Sequence, residues 1–484
     1  MNLTQKLAFF CAGLLFLSQS SALAQDNLWE VSRQSLVSIL EESHYSPDAF
    51  VDAMGNPNLA MTMDSVRPKT YSRYRSLVRS WVHSQLPDID VRFIRECGKG
   101  LLSKRRWEIQ SHTFTYRSQT VDGREIEMSG RVTFLANREE GIPHEVKSIS
   151  LYSHQALMDK SWAPSQSLMF APLKVMWDSA VIEPDFQNWG INHGIEPDGS
   201  GSSIQMGRQL ADCTVAALEV MRQHGVTLSP EGYTTNWGSS QGAMPTLYFD
   251  KWYDTEAPQW FKEALRLRAS YIAEGVTIMP ELTKFNYRNG QDFPLKPVTS
   301  VGYLKAFTPE QLGGYKPQEF VPQWWNDTKF QVNGREISFF DAVCHYIPEG
   351  MFPLSDTLDS YAGLVAPDML TPDGQVDLNC PKIQAWLECQ QVHNDMSNWT
   401  PEHAIYIAHC PTDEMLPYQY AYNQYLAISN NGQNPNVHML NIPANRFASM
   451  GGMKPHFIIA FMAQVMMAFA ENPESMQSLY KAVK

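Results

Sequence analysis

The feature that most constrains this chain is the nonapeptide NWGSSQGAM, Asn236 to Met244. The pattern G-x-S-x-G fits it in one register only: Gly238, Ser239, Ser240, Gln241, Gly242. Upstream, GYTTNWG is β-prone; downstream, AMPTLYFDKWY reads as a helix. Pro245 falls in the first turn of that helix, where its missing N–H does no harm. The segment is therefore a strand, a very tight turn and a helix, with Ser240 at the apex. In so tight a turn, a side chain at position 238 or 242 collides with the adjoining strand or helix. The helix start also leaves unpaired N–H groups beside the Ser240 oxygen.

The rest of the chain supplies the sheet that such a unit needs. HTFTYRSQTVDGREIEMSGRVTFL is two β-rich runs meeting at Asp122-Gly123, a hairpin signal. VKSISLYSHQAL follows, with an apolar run from Ile149 to Tyr152, and then the short strand AVIEP. A helix after it carries Ile204, Leu210, Ala211, Val215, Leu218 and Met221 along one side and stops at Gly225. VTLSPE separates that helix from the strand GYTTNWG. RLRASYIAEGVT, HAIYIAH and NVHMLNIP are further strands; YQYAYNQYLAI and FIIAFMAQVMMAFA are further helices, the second read as buried. Strands alternating with helices predict a mainly parallel sheet wrapped by helices. Between Ile278 and Ser397 regularity fades and Pro, Trp, Tyr and Phe accumulate, an insertion in the sheet. From Asp26 to about Trp107, the spacing of Leu28, Val31, Ile39 and Leu40 and the stretch YSRYRSLVRSWVHSQL predict a helical extension. The expected organisation is a leader at 1–24, an extension at 25–110, a core at 111–277 and 398–484, and a cap at 278–397.

The leader has all three parts of a secretory signal: Lys6, an apolar run from Leu7 to Leu17, and Ala22-Leu23-Ala24 as the cleavage site. Export to the periplasm or medium is expected. No later stretch is long and apolar enough for a membrane span, which takes about 20 residues. A net charge of -13 with no Lys/Arg-rich run removes any general electrostatic attraction to nucleic acid. Beyond Cys11 of the leader stand Cys97, Cys213, Cys344, Cys380, Cys389 and Cys410, which either pair after export or remain free and buried. Neither C-x-x-C nor H-E-x-x-H spacing occurs, so the motifs call for no metal or other cofactor.

A serine hydroxyl is a weak nucleophile without a base, and the base is usually a histidine held by a carboxylate. Downstream of Ser240 stand His345, His393, His403, His409, His438 and His456. His456, in GGMKPHF, follows the last strand and opens the last helix, where a catalytic base belongs. The acid belongs after the penultimate strand, where AIYIAHCPTDEMLPY offers Asp413 and, beside it, Glu414. Asp413 is preferred as closer to the strand end. Glu274, ending the earlier strand in YIAEG, is the third candidate.

Together the elbow around Ser240, the stretch His409, Asp413, Glu414, Pro417, Tyr418 and the following His456 resemble the α/β-hydrolase superfamily, its secreted lipases and esterases above all. The resemblance runs from His112 to Lys484, interrupted by the aromatic-rich insertion. It implies an α/β-hydrolase fold: a mostly parallel sheet flanked by helices, with an inserted cap. It implies Ser240 as nucleophile, Asp413 as acid and His456 as base. The oxyanion hole then takes two main-chain N–H groups, from Gln241 and from the loop after the third strand. That loop reads YSHQAL, which assigns the second donor to Gln155; His154 is either part of that loop's function or a structural histidine.

The expectation is a secreted serine hydrolase that cleaves small acyl esters through an acyl-enzyme. A serine peptidase on the same fold is the alternative, and a non-catalytic binding protein a third reading. Trp324, Trp325, Phe339 and Phe340 of the insertion either line the acyl pocket or form the insertion's own core. Acyl specificity and oligomeric state do not follow from the sequence.

Overall fold

A computed structural model describes residues 34–45, 107–289, 302–346 and 361–442, short interior stretches excepted, together with His456. The leader, YSRYRSLVRSWVHSQL, Cys97, Glu414 and the helix read at Phe457 to Ala470 lie outside the described residues.

Among the described residues nine strands form one sheet, in the order β1-β2-β3-β5-β4-β6-β7-β10-β11. The antiparallel edge is β1 (Leu36–Tyr45), β2 (Trp107–Gln119) and β3 (Glu125–Asn137). The parallel part is β5 (Ser179–Pro184), β4 (His144–Ser153), β6 (Val226–Ser239), β7 (Leu267–Ala273), β10 (Ala404–His409) and β11 (Val437–Asn441). The β2–β3 hairpin turns at the expected Asp122-Gly123, with Gly123 at φ +82°, where only glycine is unstrained. A mostly parallel sheet with crossover helices was the sequence reading, and it is the observed architecture.

Two elements differ from that reading. Ile39 and Leu40 lie in an edge strand, not a helix: β1 pairs antiparallel with β2. Secondly, VTLSPE does not stand apart from the strand that follows it. It is the start of β6, interrupted opposite the Val146–Ser148 step of β4, where partners jump from Leu228 to Tyr233. Pro230 sits in that bulge, and proline cannot donate to a ladder.

Helix α1 (Ser203–Gln223) starts at Ser202, whose Oγ accepts the Gln205 N–H at 3.2 Å, and ends before Gly225 at φ +69°. It packs on β2, β3 and β5 and against α2 (Ala243–Thr255), burying Leu210, Val220 and Met221. Each such side chain contributes about 1.5–3 kcal/mol of transfer free energy. Under the elbow, Ala243 and Leu247 of α2 join Ile272, Ile405, Ile407 and Val437 from the parallel strands in one core.

The described part of 278–397 supplies most of a second core, which Val121 and Met244 join from outside the segment. It contains α4 (Met279–Asn289), α5 (Gln323–Asp327), a hairpin of β8 (Lys329–Val332) and β9 (Arg335–Ser338), α6 (Phe339–Tyr346) and α7 (Pro381–His393); α3 (Gln259–Leu265) precedes β7. Trp325 and Phe340 are fully buried there with Phe307 and Trp386, and the Trp325 and Phe339 rings meet edge-on at 4.7 Å. Of the four aromatics weighed as pocket liners, only Trp324 is exposed; the others fill the segment's core. That core includes Met244 of α2, and Leu416 and Tyr420 pack against it. Helix α8 (Tyr418–Ile428) fills the crossover from β10 to β11.

Candidate active site

The strand ends deliver the candidate residues to one place. Ser153 ends β4 and pairs with Gly238 of β6; Ser240 follows β6, Glu274 follows β7, and Asp413 lies on the loop after β10. These are all carboxyl ends of parallel strands, where open α/β sheets build their sites.

At the elbow, Ser240 has φ +52°, a left-handed conformation that a non-glycine residue adopts at an energetic cost of order 1–3 kcal/mol. It opens a single 3-10 turn, Ser240–Gly242, that runs into α2. A Cβ on Gly238 would strike the Gly242 carbonyl, and one on Gly242 would strike the Ser153 carbonyl. The two flanking glycines are thus required by close backbone approach, as the sequence pattern implied. Gly275 is a third such position, which the sequence reading missed: a Cβ there would overlap that of Ala243. The strand-end dipeptide Glu274-Gly275 was the signal available.

The two serines separate cleanly. Ser239 Oγ is buried without a hydrogen bond, whereas Ser240 Oγ lies 3.0 Å from His456 Nε2. His456 Nδ1 lies 2.8 Å from Asp413 Oδ2. Asp413 is itself fixed: its Oδ1 accepts the N–H groups of Met415 at 2.7 Å and Leu416 at 2.9 Å. Burial raises the Asp413 pKa, but His456, then His409 and the Leu416 N–H, outweigh it and hold the carboxyl below its ordinary range. His409 Nε2 stands 3.7 Å from Asp413 Oδ2 and donates to the Leu416 carbonyl at 2.7 Å; burial depresses its pKa.

Glu274, ranked behind Glu414 from sequence, has its Oε2 3.5 Å from the same His456 Nδ1 and is completely buried. The donor atoms of Glu274, Asp413 and His456 lie within 4.8 Å of one another, as a metal site would require. Here, however, both imidazole nitrogens of His456 already have partners, Ser240 and Asp413.

Gln241 follows Ser240 directly and is partly exposed. Gln155 lies two residues beyond Ser153, and its Oε1 accepts the Tyr152 hydroxyl at 3.0 Å. His154 is buried, with Nδ1 2.7 Å from the Gln155 carbonyl and Nε2 3.1 Å from that of Asp185; burial lowers its pKa. Its side chain ties the β4 loop to the end of β5. The described cysteines Cys213, Cys344, Cys380, Cys389 and Cys410 are buried free thiols.

No protein-family model matches the sequence, and no curated protein does. Solved structures do match. A candidate hydrolase from Legionella pneumophila superposes with a TM-score of 0.59 at 13% identity, over 91% of this chain and 99% of that one. The ligand-bound form of the rice cell wall degrading esterase LipA from Xanthomonas oryzae superposes with a TM-score of 0.57 at 15% identity, over 90% of this chain and 97% of that one. At such identities the likeness speaks for fold, and with the sheet order and the elbow at Ser240 it makes this chain an α/β-hydrolase fold.

Proposed function

We propose that the chain is a serine hydrolase that cleaves carboxylic esters through an acyl-enzyme on Ser240. The observation that carries this reading is the unbroken hydrogen-bonded line from Ser240 Oγ through His456 to Asp413. In this mechanism Ser240 Oγ attacks the acyl carbonyl while His456 Nε2 takes its proton. The Nδ1–H of His456 donates to Asp413, which keeps the ring in the productive tautomer and stabilises the imidazolium. His456 then returns the proton to the leaving alkoxide, and water activated by the same nitrogen hydrolyses the acyl-enzyme. The main-chain N–H groups of Gln241 and Gln155 serve as the oxyanion hole. Supporting this, Ser153 pairs with Gly238, and the Ser153 and His154 carbonyls lie against Gly242.

An ester substrate is favoured over a peptide by the structural likeness to LipA, an esterase. The segment 278–397 acts as a cap over the acyl site, a role supported by the packing of its core on Met244, Leu416 and Tyr420. The chain is exported, a reading that rests on its first 24 residues. Export is checked by N-terminal sequencing of the protein recovered from periplasm and medium.

The test is labelling with a fluorophosphonate, alongside hydrolysis of p-nitrophenyl esters and aminoacyl anilides. Wild type and Ser239→Ala label and cleave the esters in preference to the anilides; Ser240→Ala does neither. Labelling that persists in Ser240→Ala removes the assignment, and faster anilide cleavage replaces esterase by peptidase.

A further inference from the structure

A second cluster of chemistry-bearing side chains sits on the antiparallel edge, on the same sheet but four strands from the elbow. Glu42 of β1 and His112 of β2 are direct partners in the ladder, as are His44 and Gln110. Alternation along each strand puts Glu42, His44, Glu108, Gln110 and His112 on one face of this two-strand ribbon. His224, at the end of α1, reaches that face, and its ring lies 4.1 Å from that of His112. The donor atoms of Glu42, His112 and His224 all lie within 4.8 Å of one another.

The protonation pattern around His112 suits a ligand. Its ring is completely buried, and Nδ1 has no hydrogen-bond partner. Its Nε2 lies 3.3 Å from Gln110 Oε1. The Gln110 amide is held in that sense because its Nε2 donates to Glu108 Oε1 at 2.6 Å. An Nε2–H donated to Gln110 leaves the lone pair on Nδ1, the tautomer that binds a metal. Glu108 Oε1 also accepts from His44 Nδ1 at 2.9 Å, and His44 Nε2 lies 2.6 Å from Glu42 Oε1. The chain of contacts thus runs from the outer partner of His112 back to the carboxylate across the ladder. A buried imidazole nitrogen left without a partner is destabilising, and a metal ion at this position would supply the partner.

The geometry points to a divalent transition-metal site, best suited to zinc, with His112 Nδ1, His224 and Glu42 as ligands and Gln110 as the outer partner that sets the His112 tautomer. Two imidazoles and one carboxylate are a zinc donor set, and a water completes a tetrahedron. The ion would join β1, β2 and the end of α1, so its role is to fasten the edge strand to the sheet. The ligands come from positions 42, 112 and 224, which is why no sequence spacing reveals them.

The experiment uses the purified chain, stripped with a chelator and dialysed, with zinc binding followed by competition against a chromophoric chelator. Co2+ absorption serves as the report of coordination. Wild type binds one equivalent of Zn2+ at this site, gains melting temperature on adding it, and gives visible Co2+ bands of a tetrahedral centre. Glu42→Gln and His224→Gln weaken binding at least about tenfold, and Gln110→Ala weakens it by about 10–100-fold. Both ligand variants keep the far-UV circular dichroism and fluorophosphonate labelling of wild type. No bound zinc at micromolar concentration, wild-type affinity in both Glu42→Gln and His224→Gln, or loss of binding in His456→Ala instead would overturn the assignment.

Discussion

Glu274 Oε2 stands 3.5 Å from His456 Nδ1, the nitrogen that Asp413 Oδ2 holds at 2.8 Å. Two buried carboxylates therefore face one imidazole, from the ends of adjacent strands β7 and β10. Only Asp413 is within hydrogen-bonding distance, so its loss is expected to dominate. Asp413→Asn should lower kcat by roughly 10³–10⁴-fold with the fold intact. Glu274→Gln should lower it by roughly tenfold, which corresponds to about 1.4 kcal/mol in the barrier. Steady-state kinetics on a p-nitrophenyl ester decide the matter; a larger loss for Glu274→Gln would exchange the two roles.

The glycines of the elbow make a second test. A methyl group at 242 would press on the Ser153 and His154 carbonyls, moving the elbow away from the end of β4. Gly242→Ala should be destabilised by at least about 1–3 kcal/mol and lose most fluorophosphonate labelling. Gly314→Ala, where a Cβ meets nothing within 4 Å but φ is +93°, should lose stability without loss of labelling. Chemical denaturation with activity measured on the folded fraction separates the two effects.

Asp212 gives a pH prediction with a defined sign. It is buried on α1, its Oδ2 accepts the Ser118 hydroxyl at 2.8 Å, and burial raises its pKa from 3.8 to about 8. A group whose folded pKa is raised contributes stability that is complete below the unfolded value and is lost as pH rises to the folded one. Asp212→Asn does not titrate, so its stability relative to wild type should improve as pH rises from about 4 to about 8. The limiting slope is about 1.4 kcal/mol per pH unit. Urea unfolding at several pH values reads it, and a flat difference would show that the side chain is ionised in the fold.

The aromatics of segment 278–397 should divide by burial. Trp325 is fully buried in that segment's core, so Trp325→Ala should lose about 3–5 kcal/mol of stability. Trp324 is 43% exposed, so Trp324→Ala should change stability by no more than about 0.5 kcal/mol. Thermal unfolding measures both. A change in the order of preferred acyl chains with Trp324→Ala would make that ring part of the acyl site.

Much of the candidate site was legible because its signals are local. Gly238, Ser240 and Gly242 are read from five residues, and the collisions a Cβ would cause there are the reason for the pattern. The hairpin at Asp122-Gly123 and the crossover helix 203–223 were equally local, one a turn requiring positive φ, the other an apolar stripe with a cap. Asp413 and His456 were found from chain order and strand ends, and they meet 43 residues apart.

What the sequence determined by itself is the backbone unit at Ser240 and the alternation of strand and helix that makes a parallel sheet. Only the tertiary structure decided the rest. Ile39 and Leu40 became strand because β2 offered an unpaired edge, and ladder hydrogen bonds outweigh a weak helical spacing. Trp325 and Phe340 became core because the segment 278–397 encloses enough apolar area to bury them. Glu274 came to His456, and His112 to Glu42 and His224, because pairing and packing bring positions far apart in the chain within a few ångströms. Such meetings depend on register and on where a helix ends against a sheet, and no spacing along the chain encodes them.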